Sequence, residues 1–520
     1  MILSSYLVLK VYRSFQLVLC VTVCLTVGMD QHETIVNAIA TQIRTFYQEK
    51  KQYRIYHGST NSTRHLAFQK SNIVDTSQLN HVSSIDVNAR TALVEPNVPM
   101  DQLVDAVLPY GLIPTVVMEF PGITVGGGFA GTGAESGSFR HGYFDSVVNW
   151  AEFILPDGEI TKISRSERPD LFTAVTGSMG TFGIATLFEV DLVPTGTCIE
   201  VTYHRANSTE AALGMLDAFA KDPSIDYLDG MVMSPTHSVV VTGKRTDSLA
   251  PALRIQQFSR ASDPWYYRHA AKITRDPNSP PFTEAVPVRD YLFRYDRAAF
   301  WCGAYAYQYF MVPCNRITRW ALDSFMKTRT MFHALHASGH SDVYIIQDLV
   351  VPTRNVAEFV EFVDEKLGLY PLWLCPIKPV GQESMHPRAT PLNGDDRAMN
   401  IGVWGPGPTG KQDFVRVNRE LERKVRELGG MKWLYAQTYY TEDEFWQIYD
   451  KKKYDAARVK FHASHLPSMY DKVKADVKSF QGEEDTWGGW LHETFWSIWP
   501  LSGLYGVAKT VVSKEYLLSR

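Results

Sequence analysis

The chain has 520 residues, with 52 Lys plus Arg against 56 Asp plus Glu and a formal net charge of -4. That is length enough for two or three domains, and no field of the kind a nucleic-acid partner demands. Six cysteines without a Cys-x-x-Cys pair suggest neither a zinc ribbon nor a disulfide framework, so a reducing, intracellular setting is expected; 12 Trp, 26 Tyr and 26 Phe lean towards an apolar pocket or a membrane-facing surface.

Residues 1–29 read as a hydrophobic leader or membrane segment. Lys10 and Arg13 precede FQLVLCVTVCLTVG, a run shorter than the about 20 apolar residues of a spanning helix. A signal anchor, a cleaved signal and an interfacial segment all fit, as does a start at Met29, where MDQHETIVNAIATQIRTFYQEK has the onset of an amphipathic helix. Between 53 and 194, short β-rich runs (NIVDT, SIDVN, ALVEP, VVNWAEFIL, TLFEVDLV) alternate with turn signals around a helical insert, MDQLVDAVLPYG. The class is α+β. Past Val193-Pro194 comes a strand-helix-strand-strand unit, CIEVTYH to SVVVTGK, with Asn207 as its expected helix cap. A second such unit runs from VYIIQDLVV to the helix DFVRVNRELERKVRELG, and the Pro-rich RDPNSPPFTEAVPVRD between them reads as a loop. The expected layout is a first domain over 30–195, a cap or substrate domain over 196–430, a return to the first domain over 431–480, and a Trp-rich tail over 481–520.

Residues 122–137, GITVGGGFAGTGAESG, contain the pattern G-x-G-x-x-G. A Rossmann fingerprint needs a strand directly before it and a helix opening within it. Pro121 and Gly122 break the approach, and the glycines at 131, 133, 137 and 142 argue against a helix. Seven glycines from Gly122 to Gly137 instead leave backbone N–H groups open to an anion or a flat ring. Two further loops support a cofactor. YRIYHGSTNSTRHL offers His57, Gly58, Ser59, Thr60 and Asn61, and TGSMGTFGIAT offers Gly180, Gly183 and Ile184. With no Walker lysine, flavin dinucleotide is favoured over a nucleoside triphosphate.

On these residues the first domain resembles the FAD-binding domain of the vanillyl-alcohol oxidase and para-cresol methylhydroxylase type. The chain from about 50 to 480 resembles the delta-24 sterol reductases through TVGGGFAGTGAESGSFRHGYF, VPVRDYLFRYDRAAFW, QDLVVP, YPLWLCPI, NIGVWG and LYAQTYYTEDEFWQIYD. The resemblance implies FAD between two β subdomains, a cap over the flavin ring, and reduction of a sterol side-chain double bond with NADPH. It places the FAD segment at Thr124, Val125, Gly126, Gly127, Gly128, Phe129, Ala130, Gly131, Thr132, Gly133, Ala134, Glu135 and Ser136. His57 stands where the family has a small residue, and non-covalent flavin is expected. An oxidase or dehydrogenase, a side-chain isomerase, and a non-catalytic lipid-binding protein are the rival readings.

Hydride addition to an isolated alkene needs a proton on the other carbon. Alternation along LYAQTYY puts Tyr435, Gln437 and Tyr439 on one face of an expected strand, with Tyr439 the chosen donor. Glu119 in MEFPG is the second candidate. Arg289, Arg294 and Arg297 read as a phosphate contact for NADPH or a solvated helix face. His333, His336 and His340 lack a completing ligand, so no metal is expected. The leader and Trp487, Trp490, Trp496 and Trp499 point to membrane association. Asn61 heads a sequon inside a cofactor loop, which favours a flavin domain facing the cytosol, at the endoplasmic reticulum in this family.

Overall fold

The computed structural model of the protein describes residues 30–58, 62–64, 68–248, 253–338, 343–378, 384–387 and 397–475, with Tyr505 and Ala508. The leader, residues 59–61 and nearly all of the Trp-rich tail lie outside them.

Residues 30–48 form a helix whose Val36, Ile39, Ala40 and Ile43 recur at helical spacing and pack on Leu79, Ile154 and Ile184. A parallel pair, β1 (Arg54–Tyr56) and β2 (Ile73–Asp75), follows. The first sheet then takes β3 (Val82–Asp86), β4 (Thr91–Val94), β5 (Leu112–Pro114), β6 (Val148–Ile154), β7 (Ile160–Ser164) and β8 (Ile184–Pro194). Its order is β3-β4-β8-β6-β7, with β5 also on β8, and every pair is antiparallel. A Rossmann sheet is parallel, so this topology excludes one.

The second sheet holds β9 (Cys198–Ala206), β10 (Tyr227–Ser234), β11 (His237–Thr246), β12 (Phe282–Pro287), β13 (Tyr344–Pro352), β14 (Leu372–Ile377), β15 (Ala398–Pro406) and β16 (Met431–Lys432). Its order, β12-β9-β11-β10-β14-β15-β13-β16, contains the same strand-helix-strand-strand unit twice, joined where β10 meets β14. Outward from that seam each unit runs second, third, first strand. The Pro-rich stretch is therefore partly a strand: β12 lies at the sheet edge, where proline costs no ladder bond.

Strand parity sorts the two faces of this sheet. Met399, Ile401 and Val403 of β15, with Leu372 and Leu374 of β14, join the helices Thr209–Ala220, Val356–Leu367 and Lys411–Glu427 in one core. The alternate residues Trp404, Trp373 and Cys375 face the other way, into an aromatic core shared with the first sheet. Ser208, not Asn207, caps the first of these helices, its side chain accepting the Ala211 N–H.

Candidate active site

The glycine segment forms a helix after all. Val125–Gly131 is helical, and Thr124 caps it by accepting the Gly127 N–H on Oγ1 at 3.1 Å. Poor glycine propensity is overridden by packing. A Cβ on Gly126 would lie 2.9 Å from Pro96, and one on Gly128 would lie 2.5 Å from Met118 Cε and 3.0 Å from Phe144. The missing side chains let the helix close on the first sheet. Its other side is open: among the described residues a Cβ on Gly131 meets nothing within 4 Å.

That open side borders two cavities, of about 210 and 220 Å³, which share His57, Arg64, Thr124, Gly127, Gly131 and Met179. The first, a crevice in the first domain, is also lined by Gly126, Phe129, Ala130, Gly180, Gly183 and Ile184. The second lies between the two sheets and is also lined by Glu119, Gly128, Gly133 and Ala134. Val125, Thr132, Glu135, Ser136 and Gly58 line neither; Ser59, Thr60 and Asn61 lie outside the described residues. A larger depression of about 420 Å³ lies on the helix Lys411–Glu427 and touches none of these residues.

The crevice is cationic. Lys472 Nζ donates to the carbonyls of Met179 (2.7 Å) and Gly180 (3.3 Å), and Arg64 Nη1 donates to the Lys472 carbonyl. Arg64 Nε donates to Ser62 Oγ. Arg54 lines the same wall. None of the three has a carboxylate partner among the described residues. Burial, with the neighbouring guanidinium groups, lowers Lys472 to about 7. Burial and the charges of Lys472 and Arg64 lower His57 to about 4, and its Nδ1 has no hydrogen-bond partner among the described residues. A side-chain-free wall beside uncompensated cations fits a flat ring system carrying a diphosphate, as in FAD.

The second cavity is aromatic above and acidic below. Phe300 packs with ring centroids 5.1 Å from Trp373, 5.2 Å from Trp404 and 5.4 Å from Phe120, and all four line it, with Phe332 and Trp433. Burial and repulsion from Glu135 hold the Glu119 carboxyl well above the usual carboxylate range, and its Oε1 has no hydrogen-bond partner among the described residues. Burial raises Glu135 to about 7 and Asp348 to about 6. Asp348 accepts from Tyr435 OH at 2.8 Å and from Asn400 Nδ2 at 3.3 Å.

Tyr439 is not in this cavity. After β16 the chain turns instead of continuing as a strand, so period-2 alternation does not apply. The turn is held by Lys432 Nζ, which bonds Glu422 and the Gln437 carbonyl, while Glu422 accepts the Tyr439 N–H. Tyr439 packs on Phe414 with its hydroxyl on Gln437 Oε1, and Tyr435 is the tyrosine that reaches the cavity. The arginine run is structural as well. Arg294 is buried against Asp229, Arg297 against Asp323, and Arg289 pairs with Asp105. No metal-ligand cluster occurs among the described residues; His336 Nε2 bonds the Ser62 carbonyl, and His340 lies outside them. Sequence reading missed Lys472, which lies in no quoted motif, and passed over Arg54, Arg64 and Asp348 within YRIYHGSTNSTRHL and QDLVVP, because their charges converge on the site only in the folded chain.

A family described as FAD binding domain matches residues 34–164. The protein is 30% identical over 440 residues to the Delta(24)-sterol reductase of Arabidopsis thaliana, covering 78% of its own length and 77% of that protein. It is 26% identical over 459 residues to that of Homo sapiens, covering 85% and 86%. The decaprenylphosphoryl-beta-D-ribose oxidase of Mycolicibacterium smegmatis is 26% identical over 385 residues, covering 73% and 79%. Fold, crevice and family match define an FAD-dependent oxidoreductase with an α+β, two-subdomain FAD-binding fold. Within that class, the protein belongs to the delta(24)-sterol reductase family.

Proposed function

We propose that the protein reduces a carbon–carbon double bond in the side chain of a sterol-like substrate, with NADPH as hydride source and FAD held non-covalently between the cavities. FAD when bound supplies the hydride chemistry. In this reading the backbone at Thr124, Gly126–Gly131, Gly133 and Ala134, with Gly180, Gly183 and Ile184, cradles the cofactor, and Arg54, Arg64 and Lys472 neutralise its diphosphate. Phe120, Phe300, Phe332, Trp373 and Trp404 exclude water and contact the apolar substrate, where burial is worth about 25 cal/mol per Å². Glu119 stays protonated and gives its proton to the alkene carbon opposite the one that receives hydride.

The observation that carries the reading is Glu119, an acid whose protonated form burial favours and whose Oε1 has no partner among the described residues, in an aromatic cavity beside the glycine helix. The test is anaerobic. NADPH should bleach the yellow protein, a side-chain-unsaturated sterol should restore the colour, and mass analysis should find a product two hydrogens heavier. Restoration of colour by O₂ alone would make it an oxidase, the activity in the name of the mycobacterial relative. Membrane association at the endoplasmic reticulum, with the flavin domain facing the cytosol, belongs to the same proposal. Among the described residues no helix is long and apolar enough to cross a membrane.

A further inference from the structure

Between two residues of the cavity wall, Phe300 and Phe332, the backbone leaves the core and returns. It goes out along the helix Cys302–Tyr309 and comes back along the helix Thr328–Ser338. At the far end are Met311, Ile317 and Trp320, which are 71%, 76% and 63% exposed. Scattered surface apolar residues need no explanation, but three large ones within ten positions do.

The local structure holds them outward. No residue of the helix Arg316–Ala321 is fully buried, and the helix is fixed by a capping box in which Asn315 accepts from the Ile317 and Thr318 N–H groups. Ile317 and Trp320 are three apart and so share one face. Hydrogen bonds at its end, with the Arg319 guanidinium over the buried Trp265 ring (5.7 Å to its centroid), hold this helix and leave Ile317 and Trp320 outside. The Tyr307 hydroxyl bonds the Thr318 carbonyl and ties it to the outgoing helix.

Charge selects the partner. Residues 302–327 contain one acid, Asp323, and it is paired with Arg297. Arg316 and Lys327 are exposed and have no ion pair among the described residues. Tryptophan with isoleucine and methionine, flanked by unpaired cations, is the composition of an interfacial segment facing anionic headgroups.

We infer that the Met311–Trp320 protrusion docks on an anionic lipid surface and brings the Phe300 and Phe332 wall of the cavity towards the bilayer. A sterol-like substrate dissolves in that bilayer, so the surface deepens the proposed function, on which it rests for its substrate source. Docking itself needs no turnover, so it can fail or succeed independently of that function.

The test uses the full-length, FAD-loaded protein with vesicles of phosphatidylcholine and phosphatidylserine carrying brominated acyl groups. The Trp320 signal is the emission of wild type minus that of Trp320→Phe. Bromolipid should quench this component, and Arg316→Gln and Lys327→Gln should each lower the quenched population about 5-fold at sub-saturating lipid. An unquenched Trp320 component overturns the inference, whether a second copy, the protein's own tail or water covers the patch. Quenching without sterol reduction would leave the docking surface standing and remove the proposed substrate.

Discussion

Tyr435 and Asp348, 87 positions apart, meet beside the cavity with the tyrosine hydroxyl donating to Asp348 Oδ2 at 2.8 Å. The bond commits the only proton Tyr435 has, so this tyrosine orients the carboxylate and is not free to protonate a substrate. It also stabilises the charged form of Asp348 against burial, which has raised that carboxyl to about 6. Tyr435→Phe should push Asp348 higher still. The measurement is the pH dependence of the flavin absorption spectrum. Any titration near pH 6 in wild type should move upward in the variant, and an unmoved curve would separate Asp348 from the flavin environment.

Gly131 and Gly128 should fail in opposite ways. Gly131→Val puts its side chain into open cavity space, so the protein should fold with near-normal melting and bind no flavin. Gly128→Val drives a side chain into Met118 and Phe144 and should cost about 1–3 kcal/mol through overpacking. Colour per mole and melting temperature, read together, distinguish a blocked cradle from a damaged core. In wild type, acid precipitation should leave the yellow in the supernatant.

In the proposed function Lys472 shares the electrostatic part of cofactor binding with Arg54 and Arg64. With its pKa lowered to about 7 it is half charged at neutral pH, and an anion beside it should pull the proton on. FAD affinity measured on apoprotein should therefore weaken as pH rises past about 7, and Lys472→Met should be weaker and flatter with pH. Riboflavin, which has no phosphate, should bind both proteins alike. Equal loss for riboflavin and FAD would assign Lys472 to general packing.

Much of this fold is legible in the sequence because it is periodic. The strands of the repeated unit read as alternating or unbroken apolar runs, and Lys411–Glu427 as a helical stripe. The glycine helix is not, because propensity argues against it and the reason it forms, close approach to Pro96 and Met118, is tertiary. Strand parity puts Tyr435 and Tyr439 on one face, and the turn held by Lys432 and Glu422 breaks that parity, leaving Tyr435 on the cavity wall and Tyr439 away from it. Arg294 resembles a phosphate contact because nothing local reveals its partner, Asp229, 65 positions upstream.

His32 should make stability fall on the alkaline side. It lies between Glu95 Oε1 (2.7 Å) and Glu152 Oε1 (3.1 Å) and joins the N-terminal helix to the first sheet. Burial opposes its charge, but the two carboxylates win and raise it to about 9. A folded pKa above the unfolded 6.5 means stabilisation that is full below pH 6.5 and lost as pH rises to about 9. Thermal melts of wild type and His32→Gln should differ by about 2 kcal/mol near pH 6 and converge by about pH 9. A gap independent of pH would mean that shape, not charge, makes the contact.

Glu119 is where the proposed chemistry is most exposed to test. An alkene that accepts hydride on one carbon must gain a proton on the other in the same step, so the donor has to be protonated and within reach. Tyr435 has its hydroxyl hydrogen engaged by Asp348, and Tyr439 lies outside the cavity. Glu119 is neutral for two physical reasons, loss of water and the nearby Glu135, and both should persist with substrate bound. Glu119→Gln keeps shape and neutrality and removes only acidity. In stopped flow, flavin reduction by NADPH should be unchanged, and reoxidation by the unsaturated substrate should slow about 10²-fold or more. In wild type that reoxidation should fall as pH rises through the elevated Glu119 pKa, and the variant should lose the dependence. Tyr439→Phe should match wild type in both half-reactions. If Tyr439→Phe slows reoxidation and Glu119→Gln does not, the proton comes along the Gln437–Tyr439 side of the turn, and Glu119 has no part in the step.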